Sequence, residues 1–398
     1  MNGEAPLIYI ITGEPSGDAL GGRLMAALRE RTQGAVRFAG IGGEHMAEQG
    51  IDSLVPLHEL AIMGVAEVLP RARLILRRVA ETVADIERRD PAAVVTIDSS
   101  GFTWRIAQRL RRRGARLPLI HYVAPMVWAW RAGRARRMAR WYDHLLALLP
   151  FEPPYFTKVG LACSYVGHPV VESGADRGDG AGFRRRHGIA PGATVLAVLP
   201  GSRRGEVGRL LSPFAGAVAL LAERHPDLRV VIPTTETVAE IVGAAVKDWA
   251  VPALVLRGQR EKYDAFAASN AALAASGTVA LELAMARVPT VIAYRVSPLT
   301  HAVARRMFKV EHAHLLNLIL GRTVVPELIQ HDCTPERLAA AVGHLLSDAA
   351  ARTAQIEACQ EGLRRLGLGG VSPGLRAADT VLAVIAAHAQ GAVRSTAA

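Results

Sequence analysis

Ser276-Gly277-Thr278 and Glu282 stand at a spacing that can hold a nucleotide. Ala271 to Ala275 before them reads as a buried parallel strand, and Val279 to Ala286 after them has helical composition. A strand that breaks at a small-residue turn into a helix leaves backbone N–H groups unpaired at the helix start, and these bind phosphate. Glu282 falls about one turn in, within reach of the hydroxyls of an adjoining ribose. The same pattern also describes an ordinary capped helix with a solvated Glu. Pro200-Gly201-Ser202-Arg203-Arg204 is a second turn of this kind. Gly201 lets the backbone approach a phosphate, and Arg203 or Arg204 offers a guanidinium fork; the alternative is a surface Arg pair. Asp98 ends a very apolar strand, where a carboxylate needs a partner or a task. The task would be that of a general base, and the alternative is a cap for the helix near Phe102. Glu14, Ser16, Gly17 and Asp18 form a further strand-end turn, suited to binding a second substrate or to helix capping. Trp128 and Trp130 share one loop, as a platform for a sugar or acyl group or as core.

The elements that must position these residues come in two series. In the first half, strands at Leu7 to Gly13, Val36 to Gly43, Ala92 to Ser99 and Pro118 to Pro125 alternate with helical patterns. His144 to Phe151 and Cys163 to His168 close that half. The second series has strands at Val195 to Leu199, Arg229 to Pro233, Leu254 to Arg257, Ala271 to Ala275 and Thr290 to Arg295. Alternation of this kind predicts parallel sheets covered on both faces, hence an α/β chain of two doubly wound Rossmann-like domains facing a cleft. The expected division is 1–170, 182–366 and 371–398, with Asp176 to Gly182 as linker and C-terminal helices packing back on the first domain. In open parallel sheets ligands sit at the carboxyl ends of strands, which selects Gly13 to Asp18, Asp98 to Ser100, Ala124 to Trp130, Pro200 to Arg203 and Ser276 to Thr278.

Composition narrows the chemistry. The chain has 398 residues, a net charge of +11 and only three cysteines, which read as reduced thiols of a cytosolic protein. No stretch reaches the roughly 18 apolar residues of a transmembrane helix. Between Asp98 and Asp143 lie eleven arginines and no acidic residue, a field that favours an anionic partner unless it is a solvated helix face. No Gly-x-Gly-x-x-Gly opens the first helix, which argues against a nicotinamide dinucleotide, and no Walker loop, Cys-x-x-Cys or His-Glu-x-x-His occurs. No metal site and no cofactor is therefore expected. Without an Asp-x-Asp clamp, a pyrophosphate leaving group would have to be met by helix N-termini and arginine.

Taken together the segments resemble the lipid-A-disaccharide synthase family of bacterial glycosyltransferases. The matching residues are Gly13 to Asp18, Ile62 to Val68, Ile97-Asp98-Ser99, His121 to Pro125, Val127 to Trp130, Leu148 to Glu152 and Val166 to Pro169. Leu199 to Arg203, Ser276 to Thr278, Asn317-Leu318 and Pro326 to Gln330 continue the series in family order over nearly the whole chain. Ala124 and Leu316 depart from the residues common in the family. The resemblance implies a GT-B fold and an inverting transfer from UDP-2,3-diacylglucosamine to 2,3-diacylglucosamine 1-phosphate (lipid X). The product would be the β-1,6-linked disaccharide 1-phosphate, with release of UDP. It adds Asn317, Glu327 and Gln330 as polar residues on the donor side, with Gly201, Ser202, Arg203, Ser276, Gly277, Thr278 and Glu282. The acceptor side would hold Glu14, Ser16, Gly17, Asp18, His121, Trp128 and Trp130, with Asp98 as base and His121, His168, Glu14 and Asp18 as its competitors.

Two other classes compete. A sugar-nucleotide epimerase would share the Ser276 to Glu282 turn but would need no lipid surface. A nucleic-acid-binding protein would explain the arginines but not the strand-end turns, and no nucleic acid is expected. Leu60 to Val65, Leu69, Leu74, Ile75 and Leu76 beside Arg71, Arg73, Arg77 and Arg78 read as an interfacial patch. The expectation is a peripheral protein on the cytoplasmic face of an anionic inner membrane, with a homodimer as a further expectation.

Overall fold

A computed structural model describes residues 5–60, 65–130, 133–297 and 312–396. The chain divides into two units, Met1–Pro169 with Gly370–Ala398, and Val170–Gly369.

Unit 1 carries β1 (Leu7–Thr12), α1 (Pro15–Arg31), β2 (Arg37–Ile41), α2 (Glu44–Glu48), α3 (Val65–Arg89), β3 (Ala93–Ile97) and α4 (Ser100–Arg112). β4 (Leu119–Tyr122), α5 (Gly133–Met138), β5 (His144–Ala147), α6 (Pro153–Thr157) and β6 (Ala162–Tyr165) follow. The six strands form one parallel sheet in the order β2-β1-β3-β4-β5-β6. β3, Ala-Val-Val-Thr-Ile, is buried throughout, the uninterrupted apolar run that a strand covered on both faces requires. α4 buries Phe102, Trp104, Ile106 and Leu110 at helical spacing and turns Arg105, Arg109 and Arg112 outward. Much of the basic run is thus the solvated face of one helix.

Unit 2 carries α7 (Gly180–Arg186), β7 (Val195–Leu199), α8 (Arg204–Arg224), β8 (Arg229–Pro233), α9 (Glu236–Ala245), β9 (Ala253–Leu256) and α10 (Gln259–Ala268). It continues with β10 (Ala271–Ala275), α11 (Val279–Met285), β11 (Thr290–Tyr294), α12 (Leu315–Leu320), β12 (Glu327–Ile329), α13 (Pro335–Ser347) and α14 (Ala349–Arg365). Its parallel sheet runs β12-β11-β10-β7-β8-β9, so the chain winds outward one way from β7 and then, from β10, the other way. Both units are doubly wound, as the alternation predicts. β12 is a strand that the apolar pattern does not announce.

The last helix, α15 (Pro373–Thr396), belongs to unit 1. Its Ala377, Ala378 and Val381 are fully buried in the core layer that includes Leu20, Leu24 and Leu28 of α1. Each large apolar side chain so covered contributes about 1.5–3 kcal/mol. Arg376 Nη2 donates to the Tyr165 carbonyl at 2.8 Å, and Arg31 pairs with Asp379 at 2.7 Å.

Asp176 to Gly182 is not a linker. It forms a short turn and the start of α7 inside unit 2, where α7 packs along α10 and Asp179 N–H donates to the Asp264 carboxylate at 2.7 Å. Glycine and charge serve here for close packing and capping, since Asp179 also accepts from Gly182 N–H at 2.8 Å. Among the described residues, α8 is long and apolar enough to cross a membrane, yet Val207, Leu210, Phe214, Val218 and Leu221 place it in the core of unit 2.

Candidate active site

In unit 2 the strands β7 and β10 are hydrogen-bonded neighbours, with Leu199 opposite Ala274. The winding reverses between them, so the turns that follow, Gly201–Arg203 and Ser276–Thr278, lie side by side at the topological switch point. Gly201 has φ +110, a conformation that a side chain would strain, and a Cβ there would also press on Glu206. Arg203 occupies the N-cap of α8 with its side chain 75% exposed, anchored by Glu206 at 3.2 Å. Ser202, Gly277 and Thr278 are exposed, and Ser276 donates to the Ala313 carbonyl at 3.4 Å. Two helix starts and one guanidinium at adjoining strand ends are what a diphosphate needs.

Glu282 is not a lone carboxylate. Lys262 Nζ meets both of its oxygens at 3.0 and 2.9 Å, and Tyr263 OH donates to it at 2.9 Å. Burial and then Glu282 push the Tyr263 phenol up to about 12. Lys262 and Tyr263 were not legible as site residues, because they reach Glu282 from a different helix.

Asn317 is fully buried and spends its amide on neighbouring chain. Its oxygen accepts from Val324 and Val325 N–H at 2.8 and 2.9 Å, and its nitrogen donates to Val325 O and Glu327 Oε1, both at 2.8 Å. Glu327 also accepts from Ala313 and His314 N–H at 2.9 and 2.7 Å, which fixes the entry to α12. Gln330, in the left-handed region at φ 57, accepts from Val296 N–H at 2.8 Å. It borders a cleft of about 580 Å³ whose walls include Arg209, Ser212, Arg295 and His331. Asn317 and Glu327 therefore shape the backbone below the Ser276 turn, and Gln330 holds the chain just past β11 at Val296.

In unit 1, β1 pairs with both β2 and β3, with Thr12 opposite Ile97, so the switch point brings Gly13–Asp18 beside Asp98–Ser100. A Cβ at Gly13 would collide with Ser99 Oγ, so the two turns touch. Asp98 and Ser99 both have φ 47, and Val123, just past the end of β4, has φ 82. Left-handed backbone costs a non-glycine residue about 1–3 kcal/mol, and a β-branched one most. Three such residues at the ends of adjacent strands mark a locale where geometry outranks stability. Asp98 is half-buried; its N–H donates to Tyr122 O at 3.0 Å and its carbonyl accepts from Thr103 Oγ1 at 2.8 Å.

The remaining acceptor-side candidates divide. Glu14 and Ser16 are exposed at the start of α1, whereas Gly17 packs against Thr12. Asp18 is 4% exposed and caps α2, accepting from Gly43, His45 and Met46 N–H at 2.7, 3.0 and 3.1 Å. Capping, one of its two sequence readings, describes its contacts. His121 is buried in the core, its Nδ1 2.7 Å from Thr96 Oγ1, and burial, then the charge of Arg134, push it down to about 3. His168 is also buried, at about 4, through burial and then Arg23. Neither imidazole has the exposure or the basicity of a general base at neutral pH.

Trp128 donates from Nε1 to Glu152 at 3.2 Å and meets the edge of Phe151 at 5.3 Å. Trp130 lies under the Arg134 guanidinium, 5.8 Å from its ring centre. Glu152, buried at 2% exposure, also accepts from Leu149 N–H at 3.0 Å, and burial lifts its carboxyl to about 7. The interfacial expectation meets a mixed outcome: Leu60 and Ile75 are core, Leu76 is 55% exposed, and residues 61–64 and the Leu69 and Arg71 side chains lie outside the described residues. Arg78 is tied to Glu59 and Glu81 at 2.7 and 2.6 Å.

The solved structures that this chain resembles share the two-unit fold. A UDP-N-acetylglucosamine 2-epimerase described as such from Listeria monocytogenes superposes with a TM-score of 0.62 at 14% identity, covering 97% of each chain. MurG of Acinetobacter baumannii gives 0.55 at 14% identity, covering 96% of this chain and 99% of its own. The family model described as lipid-A-disaccharide synthetase matches residues 8–368. The lipid-A-disaccharide synthase of Rhodospirillum centenum is 62% identical over 379 residues, 95% of this chain and 94% of its own. That of Paramagnetospirillum magneticum is 59% identical, over 94% and 97%. By that span and those identities, the chain belongs to the lipid-A-disaccharide synthase family.

Proposed function

We propose that the chain transfers 2,3-diacylglucosamine from UDP to the 6-hydroxyl of 2,3-diacylglucosamine 1-phosphate, with inversion. The products are the β-1,6-linked disaccharide 1-phosphate and UDP. The observation that carries this reading, beside family membership, is the adjacency of Gly201–Arg203 and Ser276–Thr278 at one switch point in unit 2. These turns take the diphosphate, and Arg203 neutralises the charge that grows on it as the glycosidic bond breaks. Glu282, oriented by Lys262 and Tyr263, accepts from the ribose hydroxyls. Asn317, Glu327 and Gln330 shape the donor side from behind, through the backbone segments that they hold.

Unit 1 is the acceptor unit. Inversion requires a single displacement, in which the acceptor's hydroxyl oxygen attacks the anomeric carbon while a base removes its proton. Asp98 is that base: it is a carboxylate at a strand end, held in strained backbone beside Glu14 and Ser16. The acyl chains of both substrates call for a lipid surface, and the exposed Leu76 with Arg73 and Arg77 supports peripheral attachment to the cytoplasmic face of an anionic membrane. Salt-sensitive flotation with anionic vesicles tests the attachment, and sedimentation tests the homodimer that belongs to the same reading.

The reaction is tested by mixing purified chain with diacylated UDP-glucosamine. UDP release that depends on added 2,3-diacylglucosamine 1-phosphate, with disaccharide formed in equal amount, is the expected result. Release or epimerisation with donor alone would refute it in favour of epimerase chemistry.

A further inference from the structure

Lys262 and Glu282 form an ion pair in which each partner keeps one hydrogen-bonding site in hand. An ionised carboxylate has about four acceptor sites, two on each oxygen. Lys262 Nζ takes one on each, at 3.0 Å from Oε1 and 2.9 Å from Oε2, and Tyr263 OH takes the second site of Oε1 at 2.9 Å. Among the described residues nothing takes the second site of Oε2. An ammonium has three N–H donors, and the two oxygens use two of them. Beyond the carboxylate, Nζ stands 4.8 Å from the centre of the Tyr263 ring, which steadies the stem and leaves the third N–H without a hydrogen-bond acceptor among the described residues. Tyr263 is spent, because its OH donates to Glu282 and accepts from Gln259 Nε2 at 3.1 Å. The Lys262 and Glu282 side chains are 25% and 20% exposed, so a ligand can reach both. They stand early in α10 and α11, which start at the carboxyl ends of the parallel strands β9 and β10, the ligand end of the sheet. The open acceptor and the open donor thus sit on atoms 2.9 Å apart. The two oxygens of a vicinal diol have much the same spacing, and a diol can give one hydrogen bond and receive another. Ribose carries such a diol, and a deoxyribose does not.

Resting on the donor site proposed above, we infer that Lys262 is a ribose-binding residue beside Glu282: one hydroxyl of the nucleotide's diol donates to Glu282 Oε2, and its neighbour accepts from Lys262 Nζ. The ribose contact is shared between two side chains of opposite charge, which read the diol as a unit and select a ribonucleotide over either deoxy form. Tyr263 is a positioning residue that holds Glu282 and touches no hydroxyl.

The test is calorimetry of the full chain with UDP, 2′-deoxy-UDP and 3′-deoxy-UDP. The wild type should bind each deoxy form about 10- to 100-fold more weakly than UDP, since each lacks one hydrogen bond to a charged group. Lys262→Met, which keeps the stem and removes the donor, should bind UDP about 10- to 100-fold more weakly than the wild type does. It should bind one deoxy form within about twofold of UDP and still reject the other, because only the hydroxyl that met Lys262 has lost its partner. Lys262→Ala should give the same pattern, and serves where the methionine variant does not fold. Both preferences kept in these variants would leave Lys262 outside the ribose contact, and both lost together would make it a positioning residue for Glu282. Either result, or a wild type that accepts either deoxy form as readily as UDP, would overturn the inference and leave the reaction standing. A wild type that binds no UDP would fell the donor site and this inference together.

Discussion

Units 1 and 2 are each built on a six-stranded parallel sheet, and they secure their switch points by opposite means. In unit 2 the strand-end turns rest on a satisfied hydrogen-bond frame: Asn317 and Glu327 pin the entry to α12, and Lys262 with Tyr263 fixes Glu282. The polar atoms left outward are the exposed Ser202, Arg203 and Thr278 beside backbone amides. In unit 1 the equivalent place carries strained backbone at Asp98, Ser99 and Val123, with His121 and Glu152 buried close to the same strand ends. A frame of backbone turns suits a nucleotide, whose phosphates are alike in every sugar donor. Strain and buried ionisable groups are tolerated where one particular substrate must be placed.

That division can be broken most sharply at Asp98. Asp98→Asn should lower turnover by about 10²–10⁴ with UDP affinity unchanged, as measured by steady-state rates and calorimetry. A parallel loss of UDP binding would show that the units do not divide the work. Arg203→Ala should produce the reverse pattern on a smaller scale. UDP affinity should fall about 10- to 100-fold and turnover with it, while the acceptor's KM holds. Unchanged UDP affinity would remove Arg203 from the donor site.

The smallest effect concerns stability. The Glu152 carboxyl lies at about 7 in the folded chain against 4.5 for an ordinary glutamate, so the folded state holds its proton more tightly. Its contribution is whole below pH 4.5 and is lost as pH rises through about 7. His121 and His168, pushed down to about 3 and 4, act in the opposite sense: their contribution is present above 6.5 and is lost as pH falls toward those values. Glu152→Gln isolates the first term. Between pH 4.5 and 7 the wild type should lose up to about 3 kcal/mol relative to the variant in urea unfolding. Parallel pH profiles would place Glu152 in contact with water.

The sheets were legible because doubly covered strands need runs such as Val195 to Leu199 and Ala271 to Ala275, and the observed strands keep those bounds. β12 was not, because its three residues are only half-buried and follow a proline. The strand-end rule found both switch points. It could not separate Asp98, at the turn, from His121, which lies inside β4 facing Thr96, since one step along a strand exchanges the faces of the sheet. Asp18 was ambiguous for another reason: the backbone that it caps begins at Gly43, a partner that no local spacing reveals. Separation in sequence likewise hid the pairing of Lys262 with Glu282.

Because α15 covers α1 yet follows all of unit 2, a chain leaving the ribosome finishes its units in the reverse of the order in which it starts them. Residues 170–369 must be synthesised before the cover for Leu24 and Leu28 exists, a wait on the order of ten to forty seconds at roughly 5–20 residues per second. Throughout that interval the oldest part of the nascent protein displays an unfinished apolar face, a natural client for chaperones. A stop codon just after Gly369 would leave that face open for good, so the lesion would fall on the segment made first.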